Sequence, residues 1–529
     1  SFEAVRKRYL RGVAFFLRHR WLACLLLVAA CGLLYYFMTT TKTGLVPRED
    51  MGTINMKITT PPGTSLLQTK KILDRIDNDI LKDMEEVRAY SKLAGSGDAT
   101  GPSYGSFNFR LKHWDERKGE EHSVGAVQER IKQYASKFNE GTVTTSTPAM
   151  IPGFGAAGGF TLYLQDRKGG TIEDLYDVTM DLINGLKERP EIGSIYTAFK
   201  PHFPQYQITV DAVKCKRAGT STKEVLQILS GYYGGTMSTR FNKFTKLYQV
   251  RIQAHPDYRT DKHSLNNIFV RIGEEMAPIG QFVTIERIYA PERMQRFNMF
   301  PAISVSGRAA EGRSSGEALQ AVAEVAKEVL PVGYGYDYAG IAREELSSSN
   351  NTAIIFAICI LLIYLILSAL YESFIVPLAV ILSVPFGLMG SFLFANMMGV
   401  ENNIYLQTGL IMLIGLLSKT AILITEFAGE KRAQGMSIAM ATYAATKERF
   451  RPILMTVLTM VIGMIPLMFS TGVGANGNNT IGSGVVGGMV IGTLALLFIL
   501  PALFIIFQWL QEKIKPIKAK ENNTNEEKE

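Results

Sequence analysis

The sequence is poor in the groups that catalysis usually needs. It has no Gly-x-x-x-x-Gly-Lys-Ser/Thr phosphate loop, so ATP is not the expected energy source, and it has no His-Glu-x-x-His pair. The six histidines are scattered without metal-ligand spacing, and no Ser/His/Asp arrangement can be recognised, which leaves an enzyme reading without a site. Cysteine is scarce too. Of the four, Cys24, Cys31 and Cys359 fall in apolar runs, and only Cys215 lies in the polar region between them. A lone cysteine cannot close a disulfide within that region, which must therefore rest on its own core. Val28-Ala29-Ala30-Cys31 has the form of a lipoprotein cleavage site, but the apolar run continues to Met38, to spanning length.

What is abundant is apolar sequence in blocks. With 529 residues and 47% hydrophobic content, the chain is too polar to lie wholly in a membrane and too blockwise apolar to be wholly soluble. The blocks are Trp21 to Met38, Asn351 to Leu370, Ile375 to Met398, Ile404 to Glu426, Pro452 to Ser470 and Gly484 to Phe507. This predicts one span, a long external region over 39–349, and then five spans over 350–507. The net charge of +8 is placed accordingly. Residues 1–20 hold six Lys/Arg against one Glu and residues 427–451 hold five against two, which together account for the excess. Basic segments flanking spans are the positive-inside signature, so both are assigned to the cytoplasm, and no nucleic-acid partner is implied. Residues 1–20 read as a basic amphipathic helix, and the tail 508–529 as a charged cytoplasmic end.

Carboxylates are missing where one is most needed. Lys419 lies inside Ile404 to Glu426, about 6 Å from the midpoint of that span. A lysine there costs at least about 2.5 kcal/mol, which marks it as a functional group with a partner; the plainer alternative is snorkelling to the headgroups. The other apolar runs offer only Glu372, in a connection, and Glu426, about 10 Å along the same helix, whereas direct pairs form at spacings of three or four. The expectation is that the partner belongs to another polypeptide or another part of this one, and that the chain is half of a larger machine. An ion or proton gradient is then the natural drive, with no cofactor.

The external region alternates strand and helix patterns. Thr53 to Thr59, a helix over Thr64 to Leu81 and a strand at Val87 to Leu93 form one unit; a glycine-rich link from Gly95 to Gly105 leads to strand Ser106 to Leu111, helix Val124 to Phe138 and strand Thr142 to Thr147. The order recurs with strand Phe160 to Gln165, helix Ile172 to Lys187, strands Gly193 to Phe199 and Gln205 to Val210, and helix Thr222 to Leu229. This predicts two ferredoxin-like split β-α-β subdomains: the first over 39–147, the second over 148–230 and 291–349, with a strand-rich insertion at 231–290. The fold class expected is a helical membrane bundle carrying this α+β region. Gly484, Gly488 and Gly492 form a small-residue stripe, a packing signal.

Two loops are candidates for ligand selection. Leu93 to Phe107 contains Leu93, Tyr104 and Phe107; Pro148 to Phe160, which joins the subdomains, offers Met150, Ile151, Phe154 and Phe160 among glycines. Flexible backbone with adaptable apolar side chains suits a promiscuous pocket, the alternative being an ordinary linker.

Gly415 to Ile424 with Glu426-Phe427-Ala428, then Arg451-Pro452-Ile453-Leu454-Met455-Thr456, then Ser470-Thr471-Gly472 closely resemble the C-terminal half of resistance-nodulation-division efflux transporters of the AcrB-type, hydrophobe/amphiphile branch. Ala369-Leu370-Tyr371-Glu372-Ser373 and Pro47-Arg48-Glu49-Asp50 add to the likeness. It implies a proton/drug antiporter that forms homotrimers in the bacterial inner membrane, with 39–349 periplasmic. It implies as partners the N-terminal half, a periplasmic adaptor, an outer-membrane channel, small amphiphilic substrates and the lipid bilayer. It further implies that Lys419 pairs with two aspartates of the N-terminal half, that Thr456 and Arg449 lie on the proton path, that 231–290 is a docking domain and that Gly95 to Gly105 is a switch loop. Rival readings are a metal-ion exporter of the same superfamily, which the absence of clustered Met, His or carboxylate ligands disfavours, and a membrane-anchored assembly or protein-export factor.

Overall fold

The computed structural model describes residues 2–47, 49–81, 84–148, 151, 159–259, 261–310 and 312–514. Two helices open the chain, α1 (Phe2–Arg18) and α2 (Arg20–Thr40). The first sheet follows, built from β1 (Thr53–Thr59), α3 (Leu66–Leu81), β2 (Val87–Ser96), β3 (Thr100–Leu111), α4 (Val124–Ser136) and β4 (Thr142–Ser146), with strand order β2-β3-β1-β4 and antiparallel pairing throughout. Strict alternation along β1 puts Ile54, Met56 and Ile58 on one face at 0% exposure. There they meet Phe107 and Phe109 of β3, Leu73 and Ile76 of α3, and Val127 and Ile131 of α4. Period two on the strand and period 3.6 on the helices thus close one core.

The stretch expected to be a glycine-rich link is a hairpin. β2 and β3 continue toward each other until Ser96 pairs with Thr100, and Gly97 N–H donates to the Ala99 carbonyl at 2.9 Å. Gly95, at φ +90°, sits at a register shift in β2, where a left-handed residue lets the strand bulge. A Cβ on Gly105 would lie 2.8 Å from Leu73, so the glycine admits α3 onto the sheet.

The second sheet uses β5 (Gly159–Asp166), α5 (Ile172–Lys187) and β6 (Ile192–Tyr196). A separate compact unit, Phe199–Met294, then intervenes. It contains β7 (Phe203–Val210), α6 (Ala212–Ala218), α7 (Thr222–Leu229), the exposed hairpin β8 (Thr236–Lys243) and β9 (Lys246–Ile252), the hairpin β10 (Phe269–Ile272) and β11 (Glu275–Pro278), and β12 (Val283–Ala290). Its core gathers Cys215, Val225, Leu229, Val270 and Phe282. The insertion therefore begins well before residue 231. Gln205 to Val210 does not join the second sheet, because every residue of β7 pairs with β12, from Phe203 with Ala290 to Val210 with Val283.

The second sheet resumes with β13 (Gln295–Phe297), β14 (Phe300–Ala309), α8 (Ser315–Val329) and β15 (Tyr334–Ala339), in the order β13-β14-β5-β15 with β6 also on β14. Without the short β13, the order β6-β14-β5-β15 repeats that of the first sheet. Leu162, Leu164, Ile303 and Val305 lie beneath α5 and α8, which bring Leu182, Leu186 and Val322. Capping boxes start both helices, Thr171 with Asp174 and Ser314 with Glu317, each satisfying two otherwise orphaned backbone donors.

The remainder is helical: α9 (Ile341–Leu370), α10 (Val376–Ile381), α11 (Val384–Met397), α12 (Ile404–Ala433), α13 (Ile438–Met468) and α14 (Ala475–Ile514). Five helical segments among the described residues are long and apolar enough to cross a membrane: α2, Val376–Met397, α12, α13 and α14; α9 adds the shorter apolar stretch Ile354–Leu370. α13 starts at a Ser437 cap, well before the apolar block at Pro452 that marked it in sequence. α14 is the centre of the bundle. Its small residues admit α11 to near backbone contact: a Cβ on Gly487 would stand 2.7 Å from the Gly390 carbonyl oxygen, and one on Gly488 3.0 Å from that of Gly387. Ser391 Oγ donates to the Gly484 carbonyl at the same seam. α1 docks on this bundle through Tyr9, whose ring stacks on Phe450 at 4.2 Å and whose hydroxyl donates to the Leu497 carbonyl.

Candidate functional site

α12 carries two faces. One buries Leu406, Leu410, Leu413, Leu417, Ala421 and Ile424 against the bundle. The other exposes Thr408, Met412, Gly415, Lys419 and Glu426, spaced by threes, fours and one seven, so that they form a stripe along the helix. Lys419 thus projects from the middle of a spanning helix on the side its own chain leaves bare. Among the described residues it makes no ion pair or hydrogen bond; neither Glu372 nor Glu426 reaches it.

The two groups grouped with it sit at different depths. Arg449 of α13 stacks its guanidinium over the Phe427 ring at 4.5 Å, and its Nε is enclosed without a hydrogen-bond acceptor among the described residues. Phe427 is eight residues beyond Lys419, about 12 Å along the axis, so Arg449 is not beside the lysine. α12 and α13 are joined by a short turn and run back along each other, and Thr456, seven residues past Arg449, returns to about the level of Lys419. Its Oγ1 donates to its own helix at the Ile453 carbonyl, 3.0 Å. The Tyr371-Glu372-Ser373 connection serves packing: the Tyr371 hydroxyl meets Thr425 Oγ1 at 2.5 Å, and Ser373 Oγ accepts from the backbone N–H of Ile375 and Val376.

Sequence alone missed Glu49 and Asp50 as a joint. Glu49, 8% exposed, accepts from the backbone N–H of Gly477 at 2.8 Å and Asn476 at 3.4 Å, so a carboxylate from a distant segment caps the start of α14. Asp50 takes two hydrogen bonds, at 3.0 and 3.2 Å, from Arg117, which also donates to the Lys112 and His122 carbonyls. Gly472, at φ +98°, lies under the Trp114 indole: a Cβ there would come within 2.7 Å of Nε1.

The loop candidates separate. Phe107, 1% exposed, is core, stacked on Phe109 with centroids 5.5 Å apart; Tyr104 is buried on β3; Leu93 is exposed on β2. Met150 and Phe154 lie outside the described residues, and Ile151 is 39% exposed. Phe160, on β5, packs across Gly307 and borders a cleft of about 960 Å³ between the first and second sheets. β1, α4 and β4 form one wall; β5, β6 and β14 form the other. Of the five described candidates, Leu93, Tyr104, Phe107, Ile151 and Phe160, only Phe160 lines it, with Pro148 beside it.

Five membrane-length apolar helical segments among the described residues, packed into one bundle beside two sheets with helices on one face each, define an integral membrane protein with a large strand-containing external region. Residues 1–508 match the AcrB/AcrD/AcrF family, and the chain belongs to it. It is 33% identical over 533 residues to the multidrug/solvent efflux pump membrane transporter MepB of Pseudomonas putida, covering 98% of this chain and 49% of that protein. It is 33% identical over 496 residues to the multidrug export protein AcrF of Escherichia coli K12 (92% and 48%), and 31% identical over 501 residues to the multidrug resistance protein MdtF of the same strain (94% and 48%). The chain spans about half the length of the curated relatives it matches.

Proposed function

We propose that this chain is the C-terminal half of a proton-driven exporter of amphiphilic toxic compounds. The observation that carries the reading is Lys419, displayed without a partner among the described residues from the bare face of a spanning helix. An ammonium at that depth needs a counter-charge, and the exposed stripe of α12 is where an N-terminal half would lay a helix with carboxylates. When those carboxylates take up protons their attraction for Lys419 falls and α12 can shift against them, which gives a proton-driven antiporter its switch. Thr456, near the same level, and Arg449, closer to the turn between α12 and α13, are assigned to the proton path. Family membership and the efflux names of the relatives support the transport reading.

The finer architecture follows from it. Six spans place both ends in the cytoplasm and 39–349 in the periplasm of a bacterial inner membrane. The repeated strand order supports two ferredoxin-like porter subdomains, and the unit 199–294 is assigned to docking in a homotrimer that meets a periplasmic adaptor and an outer-membrane channel. Substrates pass the cleft beside Phe160 and the loop carrying Met150, Ile151 and Phe154; Leu93 is exposed on β2. The test is Lys419→Ala in the complete transporter. Drug resistance should be lost while expression and trimer assembly stay normal. Wild-type export by that variant would refute the assignment.

A further inference from the structure

We propose that the cleft between the two sheets selects amphiphilic anions, with Arg308 as the residue that recognises the anionic head group. The inference rests on the export reading only for its biological use; binding itself is a separate property.

The charge of the walls carries it. Among the described lining residues there are three cations, Lys57, Lys132 and Arg308, and no aspartate or glutamate. Two of the cations are already partnered: Lys57 Nζ lies 3.2 Å from Asp98, and Lys132 Nζ lies 2.7 Å from Glu129, one helical turn away. Arg308 differs. It is half-buried on the central strand β14, with β5 on one side and β6 on the other, and its side chain makes no ion pair or hydrogen bond among the described residues. A guanidinium held on rigid sheet, in a concave site, with its donors unspent is suited to a planar carboxylate or a sulfate.

The surroundings supply the rest of a ligand's needs. Arg308 pairs across the sheet with Gly159 and Ser194, so its neighbours on the flanking strands are small and leave room above the guanidinium. Opposite, Thr142, Thr144 and Thr145 line the β4 wall with hydroxyls. Apolar surface comes from Phe160, Tyr196, Val143 and Ile341. A cleft of about 960 Å³ is large enough for a molecule with an extended apolar body and one charged end. A cationic amphiphile of the same shape would meet the Arg308 charge and no carboxylate among the described lining residues, while the charges of Lys57 and Lys132 are offset by Asp98 and Glu129.

The experiment uses the complete transporter in lipid nanodiscs and three probes with the same twelve-carbon chain: dodecanoate, dodecyltrimethylammonium and neutral dodecyl maltoside. Equilibrium dialysis should show dodecanoate binding, weakened about tenfold to a hundredfold by Arg308→Gln, the range expected for losing a hydrogen bond to a charged group. Arg308→Lys should restore part of that loss, and binding of the other two probes should change less than about twofold. Failure of the wild type to bind dodecanoate, or equal weakening of all three probes by Arg308→Gln, would overturn the proposal. Retained selective binding in a protein that transports nothing would instead refute the export reading and leave this one standing.

Discussion

Replacing a glycine by alanine inside a helix ordinarily stabilises it by about 1 kcal/mol, because alanine loses less backbone entropy. At Gly487 the sign should reverse. Its added Cβ would lie 2.4 Å from Phe394 Cβ, 2.5 Å from Phe394 Cγ and 2.7 Å from the Gly390 carbonyl oxygen. Those atoms are backbone or root-of-side-chain atoms that cannot swing aside, so α11 and α14 must separate along their seam. Overpacking of a tight core costs about 1–3 kcal/mol, and the parting also strains the hydrogen bond from Ser391 to the Gly484 carbonyl. The net expectation for Gly487→Ala is a loss of up to about 2 kcal/mol. Gly429→Ala on α12 is the control, since a Cβ there meets nothing within 4 Å and only the propensity gain remains. Thermal unfolding of the purified complete protein, followed by tryptophan fluorescence, compares the two. A Gly487→Ala protein melting at or above the Gly429→Ala protein would show that the close approach of α11 and α14 is not a constraint.

Glu49→Ala removes the carboxylate from the start of α14 and should cost about 1–2 kcal/mol, with faster hydrogen exchange at the Asn476 and Gly477 amides; Glu49→Gln, which keeps an acceptor, should lose less than half as much. Burial alone would raise the Glu86 carboxyl, but hydrogen bonds from His122 and Arg130 overcome it and hold the group down at about 2. Since its folded value is depressed, its stabilisation is present above the unfolded value of about 4.5 and is lost as the pH falls toward 2, up to about 3 kcal/mol in all. Acid unfolding of the external region, measured by circular dichroism between pH 6 and 2, should therefore be shallower in Glu86→Gln, and an unchanged acid limb would count against that network.

Lys419 was legible because its cost is set by the surroundings of a single residue: an ammonium in an apolar run of spanning length is expensive whatever the rest of the fold does. The β-α-β repeats were legible for a similar reason, since periods of two and 3.6 can be read within each element. What could not be read was partnership over distance. Nothing local distinguishes Gln205 to Val210 from a strand of the second sheet; only its pairing with Val283–Ala290 does so. The glycines from Gly95 to Gly105 signal a link by composition, yet they serve a hairpin in which Gly105 makes room for Leu73. Phe107 stands next to that stretch and reads as an available aromatic, but period two from Phe109 turns it into the core. Arg308 has no local signal of function, because what singles it out is the lack of a partner among the described residues once β5 and β6 flank it.

The connection between α2 and β1 shows how much work such distant partnership does. Lys42 O accepts from Asn402 N–H at 2.7 Å and Leu45 O accepts from Ile404 N–H at 3.2 Å, so this segment satisfies backbone donors at the start of α12, the helix of Lys419. Thr43 O accepts from Gly316 N–H at 3.3 Å, and Lys42 Nζ donates to the Gly312 carbonyl, which fixes the same segment to the start of α8. A few residues on, Glu49 caps α14, Asp50 holds Arg117, and the Gly52 carbonyl accepts from Leu111 N–H at 2.8 Å, the end of β3. Beside it Glu345, at the start of α9, bonds Ser315 of α8 and is pushed up to about 7 by burial, with Glu401 adding to the effect. The described residues between Lys42 and Gly52 thus reach β3 of the first sheet, α8 beside the second and the starts of α12 and α14, and at the three helix starts their hydrogen bonds satisfy otherwise orphaned backbone donors. Such ends accept few substitutes, because a backbone donor without an acceptor costs about 1–3 kcal/mol when buried, so the carbonyls of Lys42, Thr43 and Leu45 and the Glu49 carboxylate each offset a cost that the helix starts would otherwise bear.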